Sequence, residues 1–348
     1  MNGMMKVAAY YGPADIRIEE RPIPAIGDDE VLLKLTACGL CGTDIHKAVH
    51  QTVPQGTVLG HEVSGTIVEA GKSVENFREG DRVFVAHHVP CFSCHYCQRG
   101  HHSLCRQFSK TNIDPGGFSE YIRIPSLNVR HSMLKLPDDM SAEHAALIEP
   151  AACCWRGLCK LDIRAGDSVL IVGAGQTGMM FTQMLRHKLV GTIIVSDLSH
   201  FRLNAALGMG ADAAIDAGTE DLVTRTRELT GGKGVDYAII TAGVPGILMQ
   251  AVQCLDRGGT VLEFVQFDKN KPELIPAERF FNDEIKLVGT YSSTSFDYEP
   301  MLHSIYRGII DAEKMITHRM NLKDINQAIA LVQDKNSNCL KVILGTQY

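Results

Sequence analysis

A four-residue apolar run, Val169-Leu-Ile-Val172, leads straight into Gly173-Ala-Gly175-Gln176-Thr177-Gly178, and residues 177–188 continue with the pattern of a helix. This G-x-G-x-x-G spacing, set between a strand and a helix, receives the pyrophosphate of a dinucleotide. Gly173 permits the tight turn, Gly175 lets the phosphates approach the backbone, and Gly178 allows helix and strand to pack closely. The free N–H groups of the first helical turn, at Gln176 and Thr177, then face the anion. Asp197 closes the next strand, where a carboxylate accepts both ribose hydroxyls of NAD and repels the 2′-phosphate of NADP. Leu198 stands where an NADP binder would place a basic residue. Arg202 is expected near the adenine or in solvent.

Outward from this point the chain alternates strand and helix. Strands are expected at 168–172, 192–196, 237–241, 260–264 and 286–289, which indicates βαβ units and a parallel sheet. Residues 1 to about 150 read differently. Short apolar runs at 31–36, 63–70 and 81–85 are punctuated by glycines at 39, 42, 56, 60, 65, 71 and 80, as in a loop-rich β domain. The pattern changes near Glu149-Pro150. The tail from about Tyr291 is expected to hold helices at 301–310 and 325–334 and a strand at 341–344.

The 348 residues are 45% hydrophobic and 21% charged, and 34 basic against 40 acidic side chains leave a net charge of −6. That balance excludes a broadly basic nucleic-acid binder. No run approaches the length needed to cross a bilayer, and the first residues lack the layout of a secretory leader, so a cytoplasmic location is expected.

The eleven cysteines are an odd number and cluster. Cys91-x-x-Cys94-x-x-Cys97-x7-Cys105 places four soft ligands within fifteen residues, a spacing that closes a tetrahedron around one structural zinc. An iron–sulfur cluster is the rival reading, but its usual spacings differ. A second constellation joins Cys41-Gly-Thr43-Asp44-x-His46 to Gly60-His61-Glu62-x-x-Gly65 and to Glu149-Pro150. Cys41 and His61 supply a thiolate and an imidazole, and Glu62 and Glu149 supply oxygens. Three such ligands with one open position make a catalytic zinc site.

Taken in order, these signatures resemble the zinc-dependent medium-chain dehydrogenases, the superfamily of alcohol, polyol and threonine dehydrogenases, over essentially the whole chain. Glu149-Pro150 in place of a second cysteine ligand is similar to the polyol and sugar-phosphate branch. The resemblance implies an α/β fold with a GroES-like catalytic domain at 1–151 carrying a zinc lobe at 87–110. It also implies a Rossmann domain with a doubly wound parallel sheet at 152–291, and a segment at 292–348 returning to the first domain. It implies two zinc ions per chain, NAD, a homotetramer or homodimer, and oxidation of a secondary alcohol of a polyol or sugar derivative to a ketone. Oxidation of an amino-alcohol such as threonine is the alternative, and a metal- and nucleotide-binding protein without turnover is another. In these families Thr43 accepts the alcohol proton and passes it to His46, and Asp44 orients His61. His88 resembles a histidine near the active site of threonine dehydrogenases, while His87 would point the opposite way if the segment is extended.

Overall fold

The computed structural model describes residues 3–268, 270–334 and 336–347. The chain divides into two compact units, Met1–Ala152 with Ser293–Tyr348, and Cys153–Ser292.

The first unit opens with β1 (Met4–Gly12) and β2 (Asp15–Pro22), an antiparallel hairpin flanked by β4 (Thr57–Val58) on the other side of β1. The apolar reading begins only at Val31 because exposed Lys6 and Glu20 on one face of this hairpin and Arg17 on the other dilute the pattern. The larger sheet is built around β3 (Val31–Gly39), which pairs with β5 (Glu62–Ala70) and with β7 (Tyr121–Ile124). Beyond β5 lie β6 (Arg82–Val85) and β8 (Met133–Lys135). All of β3 except Lys34 and Thr36 is buried, so both of its faces are covered. The last residues of β3 and the first of β5 pair side by side, Gly39 with Glu62. This register carries Leu40-Cys41 and His61-Glu62 to the same end of the sheet.

The second unit is a six-stranded parallel sheet of β9 (Ser168–Val172), β10 (Thr192–Asp197), β11 (Ala213–Asp216), β12 (Val235–Ile240), β13 (Leu255–Glu263) and β14 (Lys286–Gly289). Its order is β11-β10-β9-β12-β13-β14, every pair parallel. The chain winds outward from β9 in one direction and then, from β12, in the other. The crevice at the carboxyl ends of β9 and β12 is therefore the switch point where such sheets take ligands. Parallel strands covered on both faces need unbroken apolar runs, and Val169 to Val172 are all buried.

The chain then returns to the first unit through the helix Ser295–Tyr306, β15 (Ile316–Asn321), the helix Ile325–Gln333 and β16 (Lys341–Gly345). β16 runs parallel to β15 and antiparallel to β3, completing the larger sheet. The helix expected at 301 starts six residues earlier. Thr294 and Asp297 cap it reciprocally, and Pro300, a stop signal in sequence, lies within it. β13 likewise starts at Leu255 rather than 260, with a register irregularity against β12 between Val235 and Tyr237. No helix among the described residues is long and apolar enough to cross a membrane.

Candidate active site

The glycine loop lies at the switch point. Gly173 has φ +102°, and a side chain there would meet Thr241 Oγ1 at 2.6 Å. Thr241 Oγ1 in turn bonds the carbonyls of Val172 and Gly173 at 2.9 Å each, locking β9 to β12. A side chain at Gly178 would collide with the carbonyl of Gly173. Gly175 differs, because nothing lies within 4 Å of where its side chain would be. It caps the helix Gln176–His187, so the open space stands over free N–H groups, as a bound pyrophosphate requires. Asp197 ends β10 beside this loop. Its Oδ2 accepts from Ala174 N–H (2.7 Å) and its Oδ1 from Ser199 N–H (2.9 Å), so backbone donors fix the carboxylate in place.

Cys91, Cys94, Cys97 and Cys105 bring their sulfurs within 4.8 Å of one another. Cys94–Cys97 and Cys91–Cys97 are 3.6 and 4.0 Å apart. A zinc tetrahedron with bonds of about 2.3 Å has sulfur–sulfur edges of about 3.8 Å, so the four donors fit that ion. Backbone N–H groups of Cys91, Cys94 and Gln107 point at these sulfurs from 3.3–3.4 Å, which favours thiolates. Hydrogen bonds from Ser93 and from the Cys94 N–H lower Cys91 to a pKa of about 6.

Cys41, His61 and Glu62 form the second group, again with ligand atoms within 4.8 Å. Cys41 caps the helix Gly42–Val49, its sulfur accepting from Thr43 N–H (3.5 Å), while its own N–H donates to Asp44 Oδ2 (3.2 Å). The other Asp44 oxygen accepts from Gly60 N–H (3.1 Å) and lies 3.2 Å from His61 Nδ1. One buried carboxylate thus ties both ligand-bearing segments together. It also assigns the proton of His61 to Nδ1, leaving Nε2 for a metal. Burial disfavours a charged His61, but Asp44 and Cys41 outweigh it and raise its pKa well above normal.

Glu62 is fully buried, and its Oε2 is paired with Lys341 of β16, also fully buried. Lys341 Nζ further donates to the carbonyl of Leu40 (3.2 Å). Oε1 of Glu62 has no hydrogen-bond partner. A buried carboxylate oxygen without a donor, beside a thiolate and an imidazole, fits a cation there. Lys341 carries no motif and lies 279 residues from Glu62, so nothing in the sequence marks it. Glu149 is buried in the first turn of the helix Ile148–Leu158 and is not a member of this three-residue group.

Thr43 and His46 are exposed, one turn apart on the helix Gly42–Val49. His87 and His88 do not point apart. Their ring centroids are 3.8 Å apart, and His87 is the one beside His61, at 4.8 Å. His88 turns away, donating from Nδ1 to the carbonyl of Thr111 at 2.6 Å. The segment is irregular rather than a strand, so alternation does not apply.

Burial lowers the pKa of His88 from 6.5 to about 4, against the opposing pull of the Thr111 carbonyl. The unfolded chain therefore takes up the proton first. The neutral His88 contributes stability above pH 6.5, and that contribution is lost as pH falls toward about 4. His88→Asn, which keeps the donor and cannot titrate, is expected to reduce the loss of unfolding free energy between pH 7 and 4 by at most about 3 kcal/mol. Denaturant titrations of both proteins at several pH values measure it, and parallel pH profiles would contradict it.

Residues 27–138 match the alcohol dehydrogenase GroES-like domain model and residues 177–307 the zinc-binding dehydrogenase model. Sorbitol dehydrogenase of Bacillus subtilis (strain 168) is 32% identical, covering 98% of this chain and 97% of that protein. The chain belongs to the zinc-dependent medium-chain dehydrogenases, in their polyol branch. This medium-chain dehydrogenase is also 30% identical to an L-threonine 3-dehydrogenase of Anaeromyxobacter sp. (strain K), over 93% of both chains. Among solved structures, 2R,3R-butanediol dehydrogenase from Bacillus subtilis superposes with a TM-score of 0.86 at 28% identity, covering 99% of this chain and 100% of that one. The protein is an enzyme, a zinc-dependent alcohol or polyol dehydrogenase.

Proposed function

We propose that this dehydrogenase oxidises a secondary alcohol of a polyol or sugar derivative to a ketone, with NAD as acceptor and a neighbouring hydroxyl on the substrate. The observation that carries this reading is the mixed donor set Cys41–His61–Glu62. A carboxylate in place of a second thiolate gives a harder, more oxygen-rich site, suited to substrates that offer more than one oxygen. The similarity to sorbitol and 2R,3R-butanediol dehydrogenases supports the same reading.

In this reading Cys41, His61 and Glu62 hold the catalytic zinc, and Glu149 stands outside that set, available to an exchanging position. Cys91, Cys94, Cys97 and Cys105 hold the structural zinc. When bound, the zinc and the dinucleotide supply Lewis acidity for the alcohol oxygen and a hydride acceptor. The chain's own part is to place and move the proton. Asp44 keeps His61 in the tautomer with Nε2 free. Thr43 takes the hydroxyl proton, and His46, exposed on the same helix, delivers it to solvent. Gly173, Gly175, Gln176, Thr177 and Gly178 seat the pyrophosphate, Asp197 the ribose, and Arg202 the adenine side.

The deciding comparison is kcat/KM with NAD for polyols, their deoxy analogues lacking one neighbouring hydroxyl, simple alcohols and threonine. A site built to bond the second hydroxyl rejects the deoxy analogue far more strongly than a missing methylene would explain, because its polar groups are left unpaired. Simple alcohols winning would overturn the polyol reading. Threonine winning would favour the amino-alcohol reading, which the 30% identity to a threonine dehydrogenase keeps open.

For the cofactor, Asp197→Asn keeps an acceptor oxygen and removes the charge. It is expected to raise KM for NAD and narrow the preference over NADP. Equal use of both cofactors by the unaltered enzyme would show that Asp197 does not discriminate.

We read the protein as a homodimer or homotetramer in the cytoplasm. β14 is an edge strand with exposed residues, and Phe281, just before it, is 87% exposed. An unpaired apolar edge of this kind is normally covered, and the mass in solution tests it. Cys41, Cys91, Cys94, Cys97 and Cys105 form no disulfide, which suits metal ligation in a reducing compartment, and fractionation tests that location.

A further inference from the structure

The helix that follows the proposed ligand Cys41 ends in a second feature, of which the proposed chemistry uses only one member. His46 and its C-cap, His50, are four residues apart on one face of the helix Gly42–Val49. Their ring centroids lie 4.4 Å apart with planes inclined at 40°. Both side chains are exposed, and the His50 N–H bonds the His46 carbonyl at 2.9 Å, so a closed helical turn sets their spacing. Neither belongs to the four-cysteine group or to the Cys41–His61–Glu62 group. Two imidazoles at this separation on one helix face can offer lone pairs to a single point. Imidazole nitrogen is a good ligand for zinc, nickel and copper.

We propose that His46 and His50 form a surface clamp for a divalent transition-metal ion, separate from both cysteine-containing centres, and that its occupation inhibits the enzyme. Each ring donates one lone pair, water completes the shell, and no electron is transferred. With two protein ligands instead of four, the ion is weakly held and exchanges freely. Inhibition follows because the ring that would carry a proton to solvent is occupied by the metal, and this half of the inference rests on the relay role given to His46 above.

The test uses the zinc-loaded enzyme, whose two internal centres are already filled, dialysed to equilibrium against added free zinc. Unaltered enzyme is expected to take up one more zinc per chain than His50→Gln and to lose kcat in step, recovering when the free zinc is diluted away. His50→Gln, at an exposed position outside the proposed machinery, is expected to keep its kcat without added zinc. It should need about tenfold or more zinc for the same inhibition. Equal uptake and equal inhibition in the two proteins would overturn the clamp, as would no extra uptake by the unaltered enzyme. Extra uptake that depends on His50 but leaves kcat unchanged upholds the clamp and overturns the relay role of His46.

Discussion

Lys341→Met is expected to destabilise the unit that contains it by about 3–5 kcal/mol, the usual result of removing one partner of a fully buried ion pair. Glu62 and Lys341 have no exposed side-chain surface at all, so water cannot screen the carboxylate left behind. Lys341 also supports the carbonyl of Leu40, the residue before the proposed ligand Cys41, so the substitution loosens the site at two points. The double variant Glu62→Gln/Lys341→Met removes both charges and is expected to recover most of the loss, because a neutral pair carries no uncompensated charge. Chelation should deepen the defect of the single variant, since a bound cation shares in neutralising Glu62. Denaturant unfolding of the four proteins of this cycle, with and without chelator, gives the values. A single variant as stable as the double would show that Lys341 does not compensate Glu62.

Brief chelation is expected to abolish activity entirely while about one zinc per chain remains bound. The two proposed centres differ in closure. Four sulfurs, braced by backbone N–H groups, leave no coordination position for a chelator to enter. Cys41, His61 and Glu62 leave one, which is the position a substrate oxygen needs. Readdition of zinc should restore activity, because Asp44 holds His61 and the Cys41 backbone together independently of the ion. Loss of both ions at one rate, or iron found by elemental analysis, would contradict the assignment.

Much of this architecture is legible in the sequence because short-range geometry writes it there. Gly173 takes a positive φ, Gly178 avoids a collision with the Gly173 carbonyl five residues earlier and Gly175 leaves open space, all within one short loop, and the four cysteines of the lobe span only fifteen residues. The parallel sheet shows through its unbroken apolar strands. What sequence conceals is produced by pairing at long range. Lys341 reads as an ordinary charged residue in a strand until β16 is laid against β3 and its side chain meets Glu62. The choice between Glu62 and Glu149 as neighbours of Cys41 and His61 depends likewise on the Gly39–Glu62 register of β3 and β5. His87 and His88 defeat the period-two reading because their backbone is not a strand, and the β1–β2 hairpin is masked by charged residues on both of its faces.

The pairing of β16 with β3 also bears on how the molecule is made. Residues Met1–Ala152 emerge from the ribosome with Cys41, His61 and Glu62 in place but without the strand that carries Lys341. The whole of Cys153–Ser292 is translated before that strand exists. Until then Glu62 lacks its lysine, and the edge of β3 that β16 will cover is bare. The nascent first unit therefore waits until the whole of the second has been translated, an order imposed by topology alone.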